Sequence, residues 1–214
     1  MRRVSVALCV ILLCASLSFA QLSVGIDPIF IDQTLTSPRL LNSSVSRGTG
    51  AELNAGILAN NITIRGYYLF PINSTFPTTI VDEGSIEKRI PAELVTSFTA
   101  TRFEIGMPYF NNGTIIEPFF VSSYTKLDSS IKYGGITIPE PLINNTSGLG
   151  LFYGQKIVNR QAFYLKGSVT PKDKIFDGSY NVVFKNCSLG AGYTYREYEN
   201  IKIKGPLLFI QVSF

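Results

Sequence analysis

Gln21-Leu22-Ser23-Val24-Gly25-Ile26-Asp27-Pro28-Ile29-Phe30 carries the first structural reading of this chain. Leu22, Val24, Ile26, Pro28 and Phe30 alternate with smaller or polar residues. Successive side chains of a β-strand point to opposite faces, so a period of two predicts a strand with one apolar side. Pro28 offers no ladder donor and suits an edge or the end of a paired stretch.

The residues before this stretch read as a secretory signal. Arg2 and Arg3 are followed by the apolar run Val4 to Leu17 and by Ser18-Phe19-Ala20. The pattern predicts cleavage between Ala20 and Gln21, leaving the alternating strand at the start of the mature chain. Leu13 before Cys14 does not fit a lipobox. No later apolar segment has the length of a spanning helix, so the sequence predicts a mature chain without a membrane span.

Downstream, the period of two continues. Ile62, Ile64, Gly66, Tyr68 and Phe70 form one face. Further strand-like runs occupy 95–105, 119–124, 131–138, 148–153, 162–169, 180–184, 201–204 and 207–214. β-Branched and aromatic residues dominate them, and Gly, Pro, Asn and Asp separate them. Asn112-Gly113, between Tyr109-Phe110 and Thr114-Ile115-Ile116, is the strongest hairpin signal. Asp177-Gly178-Ser179-Tyr180 reads as a turn before a core strand, Gly148-Leu149-Gly150 as a bulge or turn, and Pro91-Ala92-Glu93-Leu94 as one helical turn at most. The expected fold is an all-β, immunoglobulin-like β-sandwich. Its expected organisation is a signal at 1–20, an N-terminal strand at 21–32, a linker or turn region at 33–50 and a head domain at 51–214.

Composition narrows the chemistry. The chain has no histidine, which removes the usual general base and the commonest zinc ligand. No Gly-rich phosphate loop or Asp-rich calcium loop occurs. Asp82-Glu83, Glu104, Glu117, Asp173 and Asp177 are scattered and read as solvated loop acids. No enzyme, cofactor or metal is expected. Without Arg2 and Arg3 the net charge falls from +4 to +2, which does not point to nucleic acid. Loss of Cys9 and Cys14 with the signal leaves Cys187 alone, so no internal disulfide is expected. Asn-x-Ser/Thr sequons begin at Asn42, Asn61, Asn73, Asn112, Asn144, Asn145 and Asn186, and the expected modification is N-linked glycan.

A terminal alternating strand can pair within its own domain or complete a neighbour's sheet. Burial of Leu22, Val24, Ile26 and Phe30 in a neighbour would stabilise that contact by about 1.5–3 kcal/mol per side chain. A head-to-tail contact of this kind propagates into a filament. The signal, the alternating segment Leu22–Phe30, the β-rich body, the dense sequons and the lack of His and disulfides resemble the thread-filament pilins of thermoacidophilic archaea. That resemblance implies a glycosylated subunit of an extracellular surface filament, a homopolymer held by donor strands and acting in adhesion or biofilm. The donor role would fall on Leu22, Val24, Ile26 and Phe30. The alternative is a monomeric secreted glycoprotein or carbohydrate-binding module, its first strand paired in its own sheet. Tyr193, Tyr195 and Tyr198, near Glu197 and Glu199, would then form a sugar-stacking platform.

Overall fold

The computed structural model describes residues 21–35, 44–82, 88–133, 136–158, 160–199 and 201–213. The predicted signal, its cleavage at Ala20 and the sequon at Asn42 lie outside the described residues. The strands are β1 (Gln21–Leu35), β2 (Ser44–Ala59), β3 (Ile62–Asp82), β4 (Lys88–Gly106), β5 (Tyr109–Asn111), β6 (Thr114–Tyr133), β7 (Ile136–Val158), β8 (Gln161–Val169), β9 (Asp173–Val183), β10 (Cys187–Tyr198) and β11 (Ile201–Ser213).

Every pairing is antiparallel, and neighbours in sequence are neighbours in space. β1 pairs with both β2 and β11, and β4 pairs with β6, so the sheet closes on itself. The short β5 continues the line of β4 beyond Met107-Pro108 and pairs with β6. The result is a closed barrel of ten antiparallel strands, with β4 and β5 acting as one. Closure satisfies the backbone groups that an open sheet leaves along its edges.

The barrel overturns the expected β-sandwich, which needs two facing sheets. It also overturns the donor-strand filament. Gln21 to Leu35 is matched residue by residue with β2 on one side, and Ser23 to Ile26, Ile29 and Asp32 to Leu35 pair with β11 on the other. The strand has no unpaired edge to lend. Of residues 33–50, read as a linker or first turn region, 33–35 end β1 and 44–50 begin β2.

Local chemistry explains the turns. Asn112-Gly113 closes its hairpin with φ of 44° and 82°, and Asn60-Asn61 closes β2–β3 with 48° and 62°. Two positive φ values are what a two-residue hairpin of the right twist requires, and Asn and Gly tolerate them best. Three other local readings are corrected. Asp177 to Tyr180 lies inside β9, Pro91 to Leu94 inside β4, and Gly148 to Gly150 inside β7. Gly150 faces the lumen because Phe119 fills its place: a Cβ there would stand 2.2 Å from the Phe119 ring.

Alternation along each strand separates a lumen from an exterior. On β1, Asp27, Ile29, Ile31 and Gln33 are buried, while Leu22, Val24, Ile26 and Phe30 are exposed. On β3, Thr63 and Leu69 point inward, and a register shift between Leu69 and Ile72, at Pro71, hands the inward face to Ile72, Ser74 and Phe76. Pro71 has no N–H to place in the ladder, which suits such an irregularity.

Candidate functional site

The lumen has two layers. Toward the hairpins of β1–β2 and β10–β11 it is filled by Ile29, Ile31, Leu69, Ile72, Phe76, Leu94, Phe98, Leu127, Ile175, Tyr198, Ile201, Ile203 and Leu207. Phe98 and Tyr198 meet there with ring centres 4.9 Å apart. Toward the end that holds Gln21 and Ser213 the lumen is charged, and a cavity of about 440 Å³ opens among Gln21, Ser23, Asn54, Phe152, Tyr164, Asn186 and Ser213.

The charged layer joins residues that lie far apart in sequence. Arg196 on β10 forks onto Glu52 on β2, Nη1 to Oε2 at 2.5 Å and Nη2 to Oε1 at 3.0 Å. Its Nε donates to Thr194 Oγ1 at 3.0 Å, and that hydroxyl donates to Asp177 Oδ1 at 2.5 Å. Arg102 lies 3.1 Å from Glu104 and 3.7 Å from Glu52, which links this group to the opposite wall. On that wall Lys166 Nζ sits 2.8 Å from Glu104 and donates to the Tyr67 hydroxyl at 2.7 Å. Arg102 and Lys166 both lie over the Tyr67 ring, 4.2 and 3.9 Å from its centre. Arg65 and Thr63 hold the two oxygens of Glu117. Asn54 Nδ2 donates to Asp27 at 2.9 Å. Each of the four cations therefore meets at least one carboxylate, as buried charges must.

This corrects the reading of the acids. Glu104, Glu117 and Asp177 are members of an internal network on strands, and Asp173 is buried at the start of β9. Sequence reasoning missed Asp27, Glu52, Arg65, Arg102, Lys166 and Arg196. A partial signal was available: each adjoins at least one outward apolar or aromatic residue, Ile26, Leu53, Ile64, Phe103, Leu165 and Tyr195 respectively.

The exterior is the reverse of a soluble protein's. Large apolar side chains stand exposed on every long strand, among them Ile26 (43%), Phe103 (44%), Phe120 (47%) and Ile210 (38%). Among the described residues, buried polar side chains outnumber buried apolar ones. A soluble monomer shows the opposite balance and no continuous apolar patch of this extent. The outward apolar run spans 22–30 on β1, 62–70 on β3, 101–109 along β4 and into β5, and 116–124 on β6. A tilted strand crosses a bilayer in about 9–11 residues. Tyr68, Phe70, Tyr124 and Tyr193 stand near one border of this belt, and Tyr109 near the other. Beyond the first border the outward residues turn polar, with Arg47, Asn73, Asp128, Lys174, Lys202 and Lys204 exposed.

The other predicted residues are dispersed. Leu22, Val24, Ile26 and Phe30 belong to the belt. Tyr193 faces out, and Tyr195 donates to Glu197 Oε2 at 2.9 Å, but Tyr198 is buried against Phe98, so the three tyrosines make no common platform. Of the sequons, Asn61, Asn112 and Asn186 are exposed in turns at the end bearing the chain termini, and Asn73 and Asn145 are exposed on the outer wall. Asn144 is buried, donating to Glu199 at 2.6 Å and accepting from Lys172 at 2.8 Å. Cys187 is half-buried beside the cavity. Among the described residues, no group of three or more His, Cys, Asp or Glu could hold a metal ion.

A single closed antiparallel sheet, apolar outside and charged within, defines a class of protein: β-barrels built with the polarity of a transmembrane barrel. No family model matches the chain and no curated protein matches its sequence. Among solved structures it is similar to the transport unit of the autotransporter AIDA-I from Escherichia coli, with a TM-score of 0.52 and 11% identity over 91% of this chain and 90% of that one. It is also similar to the translocator domain of the autotransporter NalP from Neisseria meningitidis, with a TM-score of 0.50 and 12% identity over 89% and 88%. At these identities the likeness is one of fold. Together with the closed sheet, it replaces the pilin resemblance, the homopolymer and the secreted-filament location. It also replaces the carbohydrate-binding alternative. The expectation of no membrane span came from a search for helices; no described helix is long and apolar enough to cross a membrane, but barrels cross with strands.

Proposed function

We propose that this protein is an integral membrane β-barrel with a side-chain-filled, non-conducting lumen, serving as a stable membrane base for the strands that project beyond it. The observation that carries this reading is the inversion of polarity, an apolar belt about nine residues tall around a charged interior. Only a bilayer makes such an exterior favourable, and only closure lets strands cross it with every backbone group paired. The autotransporter domains of similar fold support the architecture.

Blockage follows from the interior. The apolar layer around Phe98 and Tyr198 spans the lumen on one side, and the paired charges fill it on the other. The cavity beneath is a dead end, open toward the chain termini. The buried charges that line the cavity favour a structural role, because Arg65, Lys166 and Arg196 are each already matched by a carboxylate. The part presented to the aqueous phase is the wall of β3, β4, β6 and β7, which run to 21, 19, 20 and 23 residues against 9 for β8.

Reconstitution tests the reading. The refolded protein should insert into lipid vesicles, resist added protease along its strands, and migrate differently on gels before and after boiling. Planar bilayers holding it should show no steady single-channel current. Failure to insert would overturn the membrane reading, and a stable conductance would overturn the closed lumen.

A further inference from the structure

We propose that the outer wall over β7, β8 and β9 holds one lipid with a net-anionic phosphate headgroup from the surrounding leaflet. The proposal rests on the membrane reading above and adds a specific site to it.

The wall there has a groove of about 560 Å³, bordered by Leu149, Leu151, Val169, Phe176 and Lys174 with Gly167 at its floor. Registration places Leu151 directly opposite Gly167 on one side and Phe176 opposite it on the other. An outward row that is apolar on both flanks therefore has no side chain at its centre. Packing does not impose this gap: a Cβ at Gly167 would meet nothing closer than 3.9 Å. The opening is one side chain wide and has apolar sides, which suits part of an acyl chain.

One row nearer the polar border, Val169 stands opposite Lys174, Lys174 opposite Glu197, and Glu197 opposite Lys202. Lys204 follows on β11, opposite Asp32, and Arg47 pairs with Asp32 at 3.5 Å. Lys202 reaches Glu197 at 3.6 Å. On the outward positions of this border, from β9 round to β2, four cations face two acids. Lys174 stands at the polar end of the groove, and along the border beyond it cations exceed acids at the height where a headgroup would lie. Charge complementarity selects an anionic headgroup over a neutral one, as basic residues at a membrane border do generally.

Gly66 provides the control. It is a second outward glycine whose added Cβ would meet nothing within 4 Å, but Tyr68 and Phe70 lie above it instead of lysines. The wild type and the variants G66L, G167L and K174Q/K202Q would be inserted into bilayers of equal parts phosphatidylglycerol and phosphatidylcholine. Each is then extracted into mild detergent and weighed with its bound lipid by native mass spectrometry. The wild type and G66L should each retain one phosphatidylglycerol. G167L should lose it, and the double lysine variant should bind it more weakly by about fivefold per lysine removed. Retention by G167L, equal retention of the two lipids, or no retained lipid in the wild type would overturn the site while leaving membrane insertion intact. A chain that fails to insert at all would overturn both readings, and the gel shift and protease assays report that separately.

Discussion

Arg196 and Glu52 are 144 residues apart in sequence and meet as a two-pronged ion pair across the lumen, at 2.5 and 3.0 Å. They come from β10 and β2, which are separated in the sheet by β11 and β1. Removing one partner strands a buried charge, which costs about 3–5 kcal/mol. R196M and E52Q are each expected to lose about that much in urea unfolding from lipid vesicles. The double variant R196M/E52Q should lose clearly less than the sum. Additive losses would show that the two side chains do not act as a pair.

Ile26 marks the middle of the belt on β1, with Leu53 and Ile210 opposite it on the neighbouring strands. Arginine at such a depth on the lipid face costs about 2–4 kcal/mol, falling to about 0–1 near the borders. I26R should therefore unfold at lower urea than wild type in vesicles. T49R, at the border on β2 opposite Phe30, should cost only about 0–1 kcal/mol. Equal effects of the two would contradict the assigned membrane depth.

Phe98 and Phe103 lie five residues apart on β4 and face opposite ways. Phe98 is buried against Tyr198, and Phe103 is exposed on the belt. F98A leaves a cavity in a packed layer and should cost about 3–5 kcal/mol. F103A exposes a gap that lipid chains can refill, so its loss in vesicles should be the smaller of the two. A larger loss for F103A would reverse the inside and outside assigned here.

Asp173 lies at the polar end of β9, beyond the belt, with its carboxyl buried. Burial, with the nearby Glu199 charge adding to it, pushes its pKa above the usual carboxylate value. The folded state then holds this proton more tightly than the unfolded state. Stability from this group is present at low pH and falls as pH rises from the usual carboxylate value through the raised one. D173N should match the wild type below that window and exceed it above, in unfolding midpoints followed against pH. A variant less stable than wild type at neutral pH would show that the charge is needed.

Much of the secondary structure was legible. Alternation marked most of the strands, and Asn112-Gly113 gave its hairpin correctly because positive φ selects those residues. The expected interruptions at Gly148–Gly150 and Asp177–Tyr180 failed for a common reason. Gly can break a strand, but here Gly150 makes room for Phe119, and Gly178 stands on the outer face, opposite Leu165. Such compensation lies on other strands and leaves no local trace.

The site was legible only in part. Phe103 and Ile105 identify an apolar face, but Arg102 and Glu104 beside them look like solvated residues until Lys166 and Arg65 are brought to them. Those contacts span tens of residues, and pairing of that range depends on how the sheet closes.

The sequence by itself determined that the chain forms strands with one apolar and one mixed face. A period of two requires that much. It did not determine which face is inside. A sandwich and a barrel share the same alternation. The choice was made by β4 meeting β6 and by β1 lying between β2 and β11. Closure left the lumen room for paired charges and turned Leu22, Val24, Ile26 and Phe30 outward, as the surface a bilayer would accept.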